Sequence, residues 1–187
     1  MASTHVHPIY GYTELRIDSW AEAKDVLKDF PANWAFRGQS QSDWSLVTSL
    51  ERLTNGSQGW RFEGILLDQF ESRAHHYLAS HLLPADTLEW WALMQHHGAP
   101  SRLLDWTQSP YVGAFFALQD AQGSSAVWAI DRVWFRDTAW AIIEANCPDL
   151  DRRALRSLGF ARWFVKLFLS NCPVRFVLPL EPNHRNE

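Results

Sequence analysis

The sequence predicts an α+β fold, in which a single domain holds a small mixed or antiparallel sheet flanked by helices. Its 187 residues are 47% hydrophobic and 20% charged, proportions that suit one domain with one sizeable core. Apolar residues recur at helical spacing in several segments, whereas a few other segments are short apolar runs of strand length. The two kinds of segment follow one another irregularly and without an internal repeat, which favours the α+β class.

The first third of the chain is predicted to contain a lead-in, a helix, a strand and a loop. Residues 1–19 form the lead-in. Asp18 and Ser19 offer a cap to the helix that follows, whose apolar stripe stops at a proline. Residues 33–36 are predicted to form a short strand, and the Ser-, Asn- and Gly-containing residues 40–59 a loop.

The rest of the chain is predicted to contain five helices and two more strands. Gly98 caps the end of one helix, and Pro110 opens the next, a buried one, where its missing N–H costs nothing. The predicted helices cover 62–83, 87–97, 110–119, 133–145 and 151–170, and the predicted strands cover 126–130 and 174–178. Because the sequence stops soon after the last strand without a capping element, we expect the domain, residues 20–187, to be truncated at its C-terminal end.

Composition and charge narrow the class of protein. The formal net charge of −4 argues against a bulk electrostatic grip on nucleic acid. No apolar run approaches the roughly 18 residues of a membrane span, and no signal peptide opens the chain. Cys147 and Cys172 have neither metal-ligand spacing nor a disulfide framework, which indicates a reducing compartment. We therefore expect a cytoplasmic protein that does not contact a membrane.

A first candidate site motif, WAFRGQ, occupies residues 34–39. Arg37 carries a planar, bidentate donor that suits phosphate or carboxylate oxygens, and Gly38 lets a ligand approach the backbone closely. Gln39 completes this polar set. Alternatively, Arg37 has a structural role only, in which it pairs with an internal acid such as Asp105 and fixes the loop.

A second and denser motif, QHHGAPSRLLDWTQSP, occupies residues 95–110. His96 and His97 are adjacent, so on a helix they point about 100° apart and cannot hold one ion together. The chain also has no Cys pair and no His-Glu-x-x-His, so no metal site is predicted. One of the two histidines is predicted to bond backbone or carboxylate at a helix end, and the other to face a cleft.

The second half of this motif offers a candidate pocket. Arg102 and Asp105 are close enough in sequence to pair across a turn, and Asp105 could equally orient Arg37 or a histidine. Thr107 and Ser109 precede a helix whose free amides, together with the two hydroxyls, form a candidate anion or ribose pocket. In the alternative interpretation, Ser109 only caps the helix and Thr107 ends a strand.

The two motifs together closely resemble the FRG domain, a family named for its Phe-Arg-Gly motif and found in bacteria, their phages and mobile elements. The resemblance rests on FRGQ at 36–39, on Trp44 with Leu46, on residues 95–110 and on AFFA at 114–117. Members of the family usually continue past the last strand into a segment with Arg and then Gln-x-Gly-x-Phe, and this sequence ends before such a segment.

A more distant resemblance is to ADP-ribosyltransferases, in the order strand-Arg-Gly, strand-Thr-x-Ser-Pro and apolar helix. Those enzymes place an Arg or His on a first strand, a Ser-Thr-Ser-like element on a second and a Glu on a third. The resemblance implies that Arg37 holds a phosphate or ribose of NAD, and that Thr107 and Ser109 shape the nicotinamide end. The catalytic Glu of those enzymes has no counterpart in this sequence. Glu181 follows the last predicted strand, but nothing around it marks it as that Glu, so no residue is assigned a catalytic role.

Two functions from different classes follow. The first is an NAD- or nucleotide-binding domain similar to ADP-ribosyltransferases, acting as a toxin or in defence against phage, with NAD as substrate and no metal. The second is a non-enzymatic module that recognises a nucleotide, a nucleic acid or a protein. In either case the candidate ligand-binding residues are Arg37, Gly38, Gln39, His96, His97, Arg102, Asp105, Thr107 and Ser109.

Overall fold

The computed structural model describes residues 3–7, 12–55, 59–79 and 83–146. Helices and short antiparallel strands are mixed in these segments, which confirms the predicted α+β class. The strands are β1 Ser3–His7, β2 Tyr12–Arg16, β3 Trp34–Gln39 and β4 Ala126–Asp131, and the helices are α1 Trp20–Leu27, α2 Ser49–Thr54, α3 Gly59–Ala74, α4 Thr87–His96, α5 Pro110–Leu118 and α6 Arg132–Asn146. No helix within these segments is both long and apolar enough to cross a membrane.

The chain divides into two compact units, each assembled from two separated stretches of sequence. The first unit combines Met1–Trp44 with Trp106–Val133, and the second combines Ser45–Asp105 with Trp134–Glu187. The motif at 34–39 lies in the first unit, whereas the motif at 95–110 begins in the second unit and ends in the first.

Strand β3 is the centre of the first unit. It pairs antiparallel with β4 over its whole length. Phe36 of β3 also forms an isolated antiparallel bridge with Thr107. In this bridge the Phe36 N–H donates to the Thr107 carbonyl at 2.7 Å, and the Thr107 N–H donates to the Phe36 carbonyl at 2.8 Å. The bridge joins the end of the second motif to the first, while β1 and β2 form a separate hairpin.

Helix α5 packs on β3 with almost no side chain between the two backbones. A Cβ added at Gly38 would overlap the carbonyl oxygen of Gly113 and the backbone nitrogen of Ala117. A Cβ added at Gly113 would in turn lie 2.9 Å from the Cβ of Phe36. Ala114 and Ala117 are buried on the same side of α5. Small residues on both elements therefore allow the helix to lie this close to the sheet.

Side-chain caps fix the starts of α1 and α5, as predicted. Ser19 Oγ accepts a hydrogen bond from the Glu22 N–H at 3.2 Å. Ser109 Oγ accepts one from the Val112 N–H at 3.3 Å, and Pro110 is the first residue of α5. Each cap satisfies an amide that has no partner within its own helix.

The second unit has its core between α3 and α4. The buried members of this core are Leu88, Trp91 and Met94 of α4, and the partly buried side chains around them are Leu66, Leu67, Phe70, Ala99 and Leu103. Asp86 caps the start of α4, because its carboxylate accepts the first free amides of the helix at 3.0 Å. Gly98 follows the helix end with a φ of +81°, a left-handed conformation that favours glycine, so the predicted C-terminal cap is confirmed.

Two predicted boundaries in the second unit are wrong. Helix α3 ends at Ala74, whereas the apolar periodicity predicted a helix that continues to residue 83. The predicted loop over 40–59 contains helix α2, because Thr48 and Glu51 form a reciprocal capping box that starts a helix within it.

In the first unit, two further expectations need correction. The predicted lead-in, residues 1–19, contains the antiparallel hairpin of β1 and β2. Helix α5 is buried only on the side that faces β3, and on its other sides Phe115 and Phe116 are both 58% exposed. The predicted helix over 151–170 and strand over 174–178 lie outside the described residues, as do Cys147, Cys172 and Glu181.

Candidate functional site

The side chains of β3 alternate between two faces of the sheet, and this alternation separates the residues of the first motif. Phe36 is buried, and Phe36 and Gly38 face α5. Arg37 and Gln39 therefore lie on the opposite face. Trp128 of β4 is the register partner of Arg37, so its side chain shares that face.

Arg37, Gln39 and Trp128 together form a cluster that we call the Arg37 face. The indole N–H of Trp128 donates a hydrogen bond to the side-chain oxygen of Gln39, which is 6% exposed. Arg37 is partly exposed, and its Nε atom is buried. The hydrogen bond to Gln39 fixes the orientation of the indole that shares this face with Arg37. A guanidinium suits phosphate oxygens, and an indole suits the flat face of a base.

Thr107 and Ser109 use their hydroxyl oxygens within the turn that leads into α5. Thr107 Oγ1 accepts the Ser109 N–H at 3.1 Å, and Ser109 Oγ accepts the Val112 N–H. Thr107 is the partner of Phe36 in an antiparallel bridge, so its side chain points to the α5 face of the sheet. The structure therefore confirms the cap at Ser109 and places Thr107 and Arg37 on opposite faces.

Three residues of the second motif form a chain of hydrogen bonds, the Ser101–Gln95–Asp105 relay. Ser101 is 0% exposed, and its hydroxyl donates to Gln95 Oε1. Gln95 Nε2 donates in turn to Asp105 Oδ1. The relay thus connects a fully buried hydroxyl to the carboxylate of an exposed residue.

Arg102 forms an ion pair with Glu63, and its pairing with Asp105, one of the alternatives for that carboxylate, stays a prediction. Its Nε donates to Glu63 Oε2 at 2.6 Å, its Nη2 donates to the same oxygen, and its backbone N–H donates to Oε1 at 3.2 Å. The guanidinium carbon lies 4.4 Å from the centroid of the Trp91 ring. Glu63 is 1% exposed. Since α3 carries this carboxylate into the core beside α4, Arg102 is held by a buried acid and an aromatic ring.

The sequence contains a signal from which the burial of Glu63 could have been predicted. On α3, Glu63 precedes Leu66, Leu67 and Phe70 by three, four and seven residues, which is the spacing of one helix face. Those three side chains pack against the core of the second unit. A charged residue on such an apolar face indicates a buried partner of opposite charge.

His96 and His97 are exposed at the end of α4. Their ring centroids lie 5.4 Å apart, and the ring of His97 lies 6.0 Å from that of Phe70. Across the described segments, no three His, Cys, Asp or Glu side chains are grouped so that they could hold a metal ion. The predicted contribution of the two histidines to a ligand site stays a prediction, as does the pairing of Arg37 with Asp105.

An open apolar groove of about 390 Å³ lies in the first unit, and part of its lining comes from α5, which begins at the end of the second motif. Its lining consists of Trp20, Tyr111, Phe115, Leu118 and Gln119. The apolar residues in this lining are 47–58% exposed. This exposed apolar surface differs from the prediction that α5 is buried.

Comparison with known proteins bears on both motifs. A family model described as FRG domain matches residues 32–126. This range includes β3, the Arg37 and Gln39 side chains, the relay and the Arg102–Glu63 pair. No curated protein and no solved structure shows a significant match to the chain.

Proposed function

The chain belongs to the FRG domain family, whose model covers just over half of it. From this premise we propose that the chain binds a nucleotide and that NAD is the first ligand to test. The ligand would lie on the Arg37 face. Arg37 would contact its phosphates, and Trp128 its base or nicotinamide ring.

One observation carries this proposal: Arg37 and Trp128 are direct cross-strand partners on one face of the β3–β4 sheet. Directly opposite residues in an antiparallel pair have Cβ atoms about 5 Å apart, so their side chains reach the same ligand. A dinucleotide presents phosphates and flat rings at such close spacing. The planar guanidinium pairs with two phosphate oxygens at once, and the indole supplies a stacking surface.

The reaction class proposed for such a ligand is transfer of ADP-ribose, in a toxin or a protein of phage defence. The support is the order of elements within the first unit. A strand with Arg37 and Gly38 is bridged through Phe36 to Thr107, and Ser109 then caps the apolar helix α5. This order resembles that of ADP-ribosyltransferases. Because Arg37 and Thr107 lie on opposite faces of the sheet, the proposal puts the phosphates on the Arg37 side and gives Thr107 and Ser109 a role in the framework.

The test is calorimetric titration of NAD into the full chain and into two matched arginine variants. Arg37→Ala is expected to weaken NAD binding about 10-fold or more, because a charge-assisted hydrogen bond to phosphate is lost. Arg136→Ala removes an exposed arginine of α6 and is expected to leave binding unchanged. Thermal unfolding of each variant, followed by circular dichroism, shows whether a loss of binding reflects a loss of folded protein. No heat with the unaltered chain would overturn the proposal, and so would native affinity in a folded Arg37→Ala variant.

A second candidate, a non-enzymatic recognition module for a nucleotide, a nucleic acid or a protein, is favoured by a different observation. Ser101, Gln95 and Arg102, which are polar residues of the second motif, all bond to other residues of the same unit. Such a network holds a scaffold in shape without taking part in chemistry. The two candidates differ in turnover: release of nicotinamide from NAD, followed by chromatography, is expected only from the transferase.

A further inference from the structure

We propose that the exposed side of α5 is the interface of a symmetric dimer, in which two copies of this chain place that side of their helices against each other. The inference goes beyond nucleotide binding and does not rest on it. Helix α5 and the Arg37 side chain lie on opposite faces of the β3–β4 sheet, so a partner on α5 leaves the Arg37 face uncovered.

Helix α5 has no charged side chain on any of its sides. Its small residues are buried toward β3, whereas its large apolar residues are exposed. These exposed residues, each 41–58% accessible, are Tyr111, Val112, Phe115, Phe116 and Leu118. A helix that is apolar all round is normally buried on every side. The outer side of α5 therefore has the composition of an interface with another molecule.

The exposed apolar side chains form one continuous surface. Tyr111, Phe115 and Leu118 are spaced by four and three residues, so they form one row along the helix. The rings of Phe115 and Phe116 pack against each other with their centroids 5.4 Å apart. Trp20 of α1 lines the open groove together with the row. We call this surface the α5 patch, and its members are Trp20, Tyr111, Val112, Phe115, Phe116 and Leu118.

The area of the α5 patch fits what a dimer needs. Its four aromatic residues are 47–58% exposed. An aromatic side chain can bury roughly 150–250 Å², so the whole patch offers on the order of 500 Å² of apolar surface. Two copies that cover each other remove about 1,000 Å² from water, which reaches the lower limit for a specific interface before any rim is added.

The α5 patch also contains both halves of a self-complementary contact. One half is the open groove of about 390 Å³, which has room for an aromatic ring. The other half is Phe116, which is 58% exposed and does not belong to the lining of that groove. A two-fold interface uses the same surface on both copies, so a projecting ring and the groove that receives it must lie on one patch. Their presence on the same helix favours a second copy as the partner.

The experiment is sedimentation equilibrium of the full chain. At protein concentrations from about 1 to 100 μM, the range in which a small interface dissociates, the mass is expected to rise from that of a monomer toward twice that value. Phe116→Glu and Leu118→Glu each put a charge into the interface and are expected to weaken dimerisation at least about 10-fold. The matched control is Leu53→Glu on α2, since Leu53 is 57% exposed and Leu118 is 56% exposed. This control is expected to dimerise like the unaltered chain.

Thermal unfolding at the lowest concentration separates an interface from a contact within the fold. There, Phe116→Glu is expected to melt at the same temperature as the unaltered chain and to bind NAD equally well. A sharp fall in its melting temperature would show that α5 is covered within its own chain and would refute the dimer.

Three other results would also overturn the inference. One is a chain that stays monomeric at every concentration, and another is a dimer that neither Glu variant weakens. The third is a monomer that sediments with phosphatidylcholine vesicles, because the α5 patch would then bind lipid. None of these results bears on NAD binding by the Arg37 face, which the calorimetric titration tests separately.

Discussion

At the scale of single residues, Glu63 changes the interpretation of the densest motif in the chain. Arg102 stands in a stretch of sequence that favours ligand binding, yet its Nε, Nη2 and backbone N–H all donate to the Glu63 carboxylate. Trp91 covers the guanidinium from one side. Arg102 therefore joins the segment after α4 to helix α3 within the second unit, which is a structural role.

Removing this carboxylate is expected to destabilise the protein strongly. Glu63→Ala removes the carboxylate that pairs with the largely buried guanidinium of Arg102, and we expect the free energy of unfolding to fall by about 3–5 kcal/mol. Chemical denaturation measures the change. The control is Glu71→Ala, an exposed glutamate on the same helix, which is expected to change stability by less than about 0.5 kcal/mol. Equal denaturation midpoints for the two variants would contradict the structural role of the pair.

From the sequence, the residues that form local caps were easier to predict than the residues that pair across the fold. The sequence identified Arg37, Arg102 and Asp105 as polar groups held in an apolar frame, and the structure confirms the caps at Ser19 and Ser109. Caps are local, so four consecutive residues suffice to predict them. The partner of Arg102 lies 39 residues away, and such a pair depends on how helices pack.

At the scale of elements, the contact between β3 and α5 determines how the first unit is built. The short apolar run of β4 and the Pro110 start of α5 were predictable, because strand length, prolines and caps are local signals. The exposed side of α5 was not, since its sequence PYVGAFFAL is apolar nearly all round and has no periodicity to show which side faces the sheet. Gly113, Ala114 and Ala117 decide which side of α5 faces the sheet, because these small residues permit its close approach to β3.

A pair of glycine substitutions tests this contact. Gly38→Ala places a methyl group against the backbone of α5 and is expected to destabilise the protein by about 1–3 kcal/mol or more. Gly64→Ala makes the same change within α3, where the added Cβ would point into open space, and is expected to stabilise by up to about 1 kcal/mol through helix propensity. Thermal unfolding of both variants gives the signs. A Gly38→Ala variant as stable as the unaltered chain would show that α5 does not lie this close to β3.

At the scale of the whole molecule, the range that matches the FRG domain model and the compact units of the structure begin and end at different residues. The match ends at residue 126, which is the first residue of β4. The residues of β4 that pair with β3 are Ala126 to Asp131, and all of them except Ala126 lie beyond the matched range. The first unit accordingly needs sequence on both sides of the range that the family model covers.

This difference predicts how a fragment of the chain behaves. A polypeptide of residues 32–126 keeps the Thr107 bridge but lacks nearly all of the partner strand of β3. A stable sheet needs paired strands that also pack against further strands or a helix, so α5 alone would not hold β3 in place. We expect the amide NMR spectrum of the fragment to be poorly dispersed, in contrast to that of the full chain. Native-like amide shifts for Trp34–Gln39 in the fragment would contradict this expectation.

The alternation of side chains along β3 also bears on how mutations should accumulate in proteins of this kind. Of the three letters that name the family, Phe36 and Gly38 serve folding, one by filling the core and the other by making room for α5. Under the proposed function, Arg37 alone serves the ligand. If that proposal holds, a relative that keeps Phe and Gly at these positions but has lost the Arg should fold well and fail to bind the ligand. The Arg position would then be the one at which members that do not bind the ligand are recognised from sequence.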